Sequence, residues 1–412
     1  MNKPLKITLK LLKWLVILVC SFYFLAILIF GFTKVNTDGS RFYWSGLEAL
    51  WKDDEEFAFR TNDRMKAEFD GVDGPYIIAD TAYYVTSDNK IETLKINVSD
   101  TILVEVNNSS KDRFSFLLER QISKPQDVYE MPDKIVALSD IEGNFDGFSS
   151  FLMANKIMDA DYNWIFGNGH LVLNGDFVDR GNNVVPVLWL IYKLEKQAES
   201  QGGKVHYILG NHEIMNFQGK WSYNDRRYIK ASQTISKEND WDKAVRLMYS
   251  DETELGKWLR SKNVMEKIGN YIFVHAGLSP EILKYKVSVS DINRIARDNW
   301  DKDLYEEEEN NKVKNFISGK KGIYWYRGLA MDYKYYPKIT EKELNQVLAF
   351  YDADKIVFGH TVKDDITKEF NSKTINTDIK HGQEKNTGKT KGILIENGTE
   401  YKIDDKGNKQ KL

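Results

Sequence analysis

The chain has 412 residues and a net charge of −3, with 58 basic side chains against 61 acidic ones. This near balance gives no electrostatic reason to expect nucleic-acid binding. The single cysteine excludes an intrachain disulfide and a cysteine-based zinc site, and a hydrophobic content of 42% supports one large or two ordinary domains.

The first legible element is Trp14 to Phe32, which carries no charged side chain. About 20 apolar residues span a bilayer as a helix. Lys3, Lys6, Lys10 and Lys13 precede the run with no acid among them, and an acidic stretch from Asp53 to Glu56 follows. The positive-inside rule then places the N-terminus in the cytoplasm and the rest of the chain outside it. A cleaved signal peptide is the rival reading. The run is long for one, and no small-x-small site follows it. Residues 1–35 are therefore expected to be an uncleaved, single-pass membrane anchor with the remainder of the chain extracytoplasmic. Cys20 follows bulky Val19 and reads as a buried membrane residue rather than a lipid attachment point.

Residues 36–130 read as a connector followed by a small β element. A short helix is expected around Gly46 to Trp51. From Pro75 to Arg120 the runs YIIADTAYYV, KIETLKINV, TILVEVNN and RFSFLLE are separated by SDN, SD and NSSKD, a hairpin pattern. A structural cap is the simpler role for this element and a partner-binding module the alternative.

From residue 131 to 405 strands alternate with helices. Lys134 to Leu138 is an apolar strand, and a helix is expected from Phe148 to Ile157. Leu171 to Leu173 and Val205 to Leu209 are strands on either side of a helix from Val184 to Gln197, whose Val185, Leu188, Ile191 and Leu194 share one face. Asp240 to Lys262 reads as one helix. Tyr271 to Val274 and Lys355 to Phe358 are strands; Val289 to Trp300 and Glu341 to Tyr351 are helices. Thr374 to Thr377, Gly392 to Glu396 and Glu400 to Ile403 close the sheets. The alternation predicts an α/β domain, with residues 406–412 a flexible tail.

Five strands end in turns that carry polar ligand-type residues: SDIEGN (Asp140, Glu142), NGDFVDRG (Asp176, Asp179, Arg180), LGNHE (Asn211, His212), VHAG (His275) and FGHT (His360). Open α/β sheets bind ligands at such carboxyl ends. Carboxylate, amide oxygen and imidazole suit divalent metals, and arginine suits phosphate. Each motif alone is weak, since a lone strand histidine is more often packed in a core. All five in this order resemble the calcineurin-like metallophosphoesterases, closest to their phosphoprotein phosphatase branch, over about Ile135 to Ile403.

The resemblance implies a four-layer α/β/β/α sandwich and two divalent ions, manganese ahead of iron, zinc or magnesium. Two such ions acidify a bridging water and clamp phosphoryl oxygens. By the same resemblance Asp176 bridges them, Asp140 and Glu142 complete the first site, and Asn211, His275 and His360 complete the second. Arg180, Asn211 and Arg327 (in YWYRG) would bind the phosphate. His212 would protonate the leaving group, with Asp179 fixing its tautomer. The family's first motif usually reads Asp-x-His-Gly, so Glu142 is a departure: a carboxylate in place of an imidazole favours hard ions. His170, His206 and His381 match no motif and are expected to be structural or exposed. The expected substrate is a phosphoprotein. The alternatives are a dinucleoside polyphosphate or lipid-linked pyrophosphate, or a non-catalytic membrane-attached scaffold.

Overall fold

The computed structural model describes residues 3–30, 33–35, 41–44, 57–60, 71–87, 90–97, 100–118, 121–304 and 306–412. The chain divides into two compact units, Met1–Ala67 and Glu68–Leu412. The first contains helix α1 (Lys3–Phe30) and an antiparallel three-stranded sheet of β1 (Thr33–Val35), β2 (Arg41–Trp44) and β3 (Phe57–Arg60). Within α1, Leu9–Ala26 is long and apolar enough to cross a membrane, and none of it is buried. A helix that is apolar on all sides and, among the described residues, unburied is the opposite of an amphipathic core helix. The helix expected around Gly46 lies outside the described residues.

The second unit begins with the β element. Strands β4 (Asp73–Ile78), β5 (Thr81–Val85) and β6 (Ile91–Lys95) form a meander, and β7 (Thr101–Glu105) pairs with β8 (Arg113–Leu117) as a hairpin. Alternate residues Ile102, Val104, Phe114 and Phe116 point inward, the period-2 pattern of a half-buried sheet. A hairpin alone is marginal, and this one shares the core of the catalytic region. The ring of Phe116 stacks on Trp189 at 4.2 Å, the Trp189 indole donates to the Pro75 carbonyl at 2.8 Å, and Asn107 and Asn183 exchange two hydrogen bonds. The boundary expected near residue 130 is therefore not a break in packing.

The remaining strands form two six-stranded sheets. They are β9 (Val128–Tyr129), β10 (Lys134–Leu138), β11 (His170–Asn174), β12 (Lys204–Ile208), β13 (Met265–Ile268), β14 (Tyr271–Val274), β15 (Lys355–Phe358), β16 (Thr367–Glu369), β17 (Thr374–Asn376), β18 (Lys391–Glu396), β19 (Thr399–Asp404) and β20 (Lys409–Lys411). One sheet runs β12-β11-β10-β18-β19-β20 and the other β16-β17-β15-β14-β13-β9. Ile135, Ala137, Val172 and Ile208 meet Phe273, Val357 and Ile375 between the sheets. The alternate residues Val136, Leu138, Leu171 and Leu173 pack under the helices. Strand periodicity thus gives two cores and the four-layer arrangement.

The helices are α2 (Phe145–Ala154), α3 (Val184–Ser200), α4 (Asn211–Phe217), α5 (Arg226–Ser236), α6 (Trp241–Met248), α7 (Glu254–Ser261), α8 (Val289–Arg297), α9 (Lys312–Ser318) and α10 (Glu341–Phe350). The single helix expected from Asp240 to Lys262 is two. Thr253 breaks it: its hydroxyl caps α7 through the Gly256 N–H at 3.0 Å and donates to the Met248 carbonyl at 2.8 Å. The C-terminal tail also differs from expectation. Lys409–Lys411 pairs antiparallel with β19, and the Leu412 N–H bonds to the Glu400 carbonyl at 3.0 Å, because the edge of β19 leaves backbone groups to be paired.

Candidate metal centre

The five motif turns lie at the carboxyl ends of β10, β11, β12, β14 and β15. Six non-glycine residues in them take positive φ: Asp140 (55°), Glu142 (50°), Asp176 (58°), Asp179 (71°), Arg180 (55°) and His360 (64°). Each such residue costs on the order of 1 kcal/mol or more, and this strain concentrates where side chains must converge. Cross-turn bonds hold it. The Asp140 N–H donates to the Gly175 carbonyl at 2.9 Å, Glu142 N–H to Asp176 at 3.0 Å, and Gly181 N–H to Glu142 at 2.8 Å. Gly175 must be glycine: its φ is +88°, and a Cβ there would lie 2.4 Å from the His275 ring.

Among the described residues, Asp176, His275 and His360 bring buried ligand atoms within 4.8 Å of one another. The His275 Nδ1–H donates to the Asn174 carbonyl at 2.9 Å. Its Nε2 faces Asn211 Oδ1 at 3.0 Å and Asp176 Oδ2 at 3.1 Å. Burial opposes protonation of this ring, but the Asp176 charge outweighs it and raises the pKa to about 10, so in the metal-free protein a proton occupies the place between nitrogen and oxygens that a divalent ion would take. His360 Nε2 is buried without any partner. Burial, and then the Arg327 cation, hold its pKa well below the usual imidazole value, so it is a neutral donor of its lone pair. These atoms fit a divalent ion. Asp140 lies alongside and accepts the His360 N–H at 3.2 Å. Burial raises its pKa to about 6 against the opposing charge of His275, with the Asp176 charge adding to the rise.

His212 stands on the other side of Asp176. Its Nδ1 lies 2.7 Å from Asp179 Oδ2 and its Nε2 3.6 Å from Asp176 Oδ2. Burial lowers its pKa, but the charges of Asp176 and Asp179 outweigh that and raise it overall, so the ring is held as a proton donor. The second oxygen of Asp179 accepts from Asn216 at 2.8 Å and Asn224 at 2.7 Å. Arg327 donates to the His360 carbonyl at 2.7 Å. Arg180 lies over the Tyr223 ring with its side chain about half exposed.

Glu142, expected as a ligand of the first ion, is met in the structure by Arg180. Its carboxylate forms an ion pair with Arg180, because the two turns are locked backbone to backbone through the Gly181–Glu142 bond. It is not part of the Asp176, His275 and His360 group. Several site residues are absent from the motif reading. Glu213 is fully buried and accepts from the N–H groups of Asp176 (3.1 Å), Phe177 (2.9 Å) and Gly210 (2.7 Å) and from the Tyr207 hydroxyl (2.9 Å). It ties the second turn to the third. Asn216 follows His212 by one helical turn of α4, a spacing visible in sequence; Asn224, which meets Asp179 from beyond the helix, carries no local signal. His206 bridges Glu266 and His170 in the sheet interior, and His381 is buried against Ser139, so these three histidines lie outside the Asp176 group.

Residues 133–364 match the family model for calcineurin-like phosphoesterases. The chain is 32% identical over 231 residues to a Shewanella-like protein phosphatase 1 of Plasmodium berghei, covering 55% of this chain and 61% of that relative. It is 28% identical over 148 residues, 35% of this chain and 44% of the relative, to a symmetrical bis(5'-nucleosyl)-tetraphosphatase of Wigglesworthia glossinidia brevipalpis. Among solved structures, the cold-active protein-tyrosine phosphatase of a psychrophilic Shewanella superposes with a TM-score of 0.70 at 31% identity, covering 83% of this chain and 99% of that one. With more than half of its length matching the family model and its ligand-type side chains gathered at the strand ends, the chain belongs to the calcineurin-like phosphoesterases and is a metal-dependent phosphatase.

Proposed function

We propose that the chain is a membrane-anchored phosphoprotein phosphatase that hydrolyses phosphate monoesters with two divalent ions. The observation that carries the reading is the convergence of His275 Nε2, Asp176 Oδ2 and Asn211 Oδ1 beside a histidine backed by a carboxylate. Divalent ions, when bound, acidify a water and neutralise phosphoryl oxygens. Asn211, His275 and His360 would hold one ion and Asp140 and Asp176 the other. The oxygen-rich donor set suits manganese. Arg327, fixed on the His360 carbonyl, and Arg180, steered by Glu142, offer guanidinium donors to the phosphate. His212 gives its Nε2 proton to the departing oxygen while Asp179 keeps Nδ1 protonated and the ring in place.

The phosphoprotein assignment draws on the Plasmodium and Shewanella relatives, each named for protein dephosphorylation. The likeness to the tetraphosphatase spans 35% of the chain, too little to carry its substrate across. The anchor assignment draws on the unburied apolar span of α1 and its lysine-rich flank. The domain reading follows: an anchor, a connector, and a phosphoesterase domain that includes the β element. Manganese-loaded protein assayed against phosphotyrosine, phosphoserine and phosphothreonine peptides, diadenosine tetraphosphate and a lipid pyrophosphate tests the substrate. Phosphopeptides should be turned over fastest; preferential cleavage of the dinucleotide or lipid overturns the assignment. A reporter fused after Leu412 should be active only outside the cytoplasm, and cytoplasmic activity contradicts the topology.

A further inference from the structure

Beyond α1, eleven large apolar side chains among the described residues are exposed. Three of them stand on the two turns that carry Arg327 and His360: Met331 (43% exposed), Tyr335 (43%) and Val362 (64%). A single exposed apolar side chain is ordinary, but a group of them beside a site marks a binding surface. We propose that this surface, with Lys320 and Lys334 at its edge, docks the acidic stretch of polypeptide that flanks the phosphorylated residue of a protein substrate. The proposal rests on the phosphoprotein reading above and adds the chemistry by which the substrate chain is chosen.

The surface is built on Arg327 itself. The Arg327 N–H donates to the Tyr336 hydroxyl at 3.1 Å, and that hydroxyl donates to the Lys320 carbonyl at 3.1 Å. Tyr333 and Tyr336 exchange two backbone bonds of 2.9 Å, and the Ile339 N–H closes the loop on the Gly328 carbonyl at 2.8 Å. Residues 328–339 thus form a stapled loop. Tyr336 and Ile339 are buried beneath it, while Met331, Lys334 and Tyr335 face out. The His360 turn is tied to this loop. Arg327 donates to the His360 carbonyl at 2.7 Å, and the Lys363 ammonium to the Ala330 carbonyl at 2.9 Å. Met331 follows Ala330 and Val362 precedes Lys363, so both leave the backbone beside that bond. A surface fixed in this way loses little freedom when a peptide binds.

Charge selects the occupant. Lys320 Nζ lies 3.6 Å from the centre of the Tyr335 ring and Lys334 Nζ 5.0 Å from it, so an exposed tyrosine is bracketed by two ammonium groups. Among the described residues Lys320 has no ion-pair partner. The neighbouring Lys321, Lys338 and Lys363 are matched by Glu281 and Glu369. The acid of the loop, Asp332, is turned back onto the Lys338 N–H at 2.8 Å. The tip therefore favours carboxylates, and Met331 and Val362 offer apolar contact between it and the site. An extended chain advances about 3.3 Å per residue. Positions next to the phosphorylated residue then meet Val362 and Met331, and those a few residues further on meet Lys320 and Lys334.

The test uses Mn²⁺-loaded full-length protein in detergent. Its substrates are p-nitrophenyl phosphate and phosphotyrosine and phosphoserine peptides flanked on both sides by glutamate, alanine or lysine. Wild type should favour the glutamate over the lysine peptide by about tenfold or more in kcat/KM, and salt should narrow the gap. Lys320→Ala with Lys334→Ala should abolish the preference, and Lys320→Arg alone should keep it. Met331→Ser with Val362→Ser should raise KM for every peptide by about fivefold or more at unchanged kcat. Both double variants should hydrolyse p-nitrophenyl phosphate within about twofold of wild type. Equal efficiency on the three flanks, or equal losses on peptides and p-nitrophenyl phosphate, overturns the assignment. So does an unchanged peptide KM in Met331→Ser with Val362→Ser when a dimer or binding to anionic lipid vesicles is lost instead, since the surface then belongs to a second copy or to a membrane. A wild type that hydrolyses p-nitrophenyl phosphate but no phosphopeptide overturns the phosphoprotein reading, and this proposal with it.

Discussion

Asp179 Oδ2 and His212 Nδ1 lie 2.7 Å apart, in a pocket where the other oxygen of Asp179 is held by two asparagines. The carboxylate has no freedom to turn away, so the imidazole presents Nε2 to the site. His212→Asn should leave metal content near wild type and lower turnover by about 10²–10⁴-fold, the usual worth of a general acid. The loss should be larger on alkyl phosphates than on p-nitrophenyl phosphate, whose leaving group needs no proton. Equal losses on both substrates would remove His212 from that role.

Glu213 joins two turns through four hydrogen bonds. Glu213→Ala leaves four buried donors without an acceptor, at about 1–3 kcal/mol for each unsatisfied group before relaxation. The variant should lose about 3 kcal/mol or more of stability in urea denaturation and bind metal more weakly. A loss under 1 kcal/mol would show that water replaces the carboxylate.

Asp73 gives a pH signature. It is fully buried, and burial, despite the Tyr76 hydroxyl bonded to it and the Arg227 charge, raises its pKa from 3.8 to about 6. The native state then binds this proton more tightly than the unfolded state, so stability falls as pH rises from about 4 through 6. Asp73→Asn does not titrate. It should match wild type near pH 4 and exceed it by up to about 3 kcal/mol above pH 7. A gap that is constant with pH would contradict the assignment.

The β element should behave as part of the catalytic core. Phe116→Ala removes the ring stacked on Trp189 and should cost about 3–5 kcal/mol in a single cooperative transition. A separate early transition that leaves phosphatase activity intact would mean an independent module.

The strand-end ligands were legible because each sits in a short motif whose turn chemistry is local. Asp176 and Asp179 are three residues apart, and Asn211 and His212 are adjacent. What could not be read depends on contacts across the chain. The partner of Glu142 was hidden because Arg180 lies in a different turn. The split between α6 and α7 was missed for another reason: the apolar stripe continues across it, and only the Thr253 cap interrupts the helix. The shared core of the β element rests on Pro75 meeting Trp189, 114 residues apart.

Titration of Mn²⁺ into chelator-stripped protein, followed by hydrolysis of a phosphotyrosine peptide, tests the two-ion phosphatase most directly. Activity should be absent without metal, stay low through the first equivalent and rise with the second to a plateau at two. Full activity at one equivalent, or hydrolysis by the stripped protein, would contradict it.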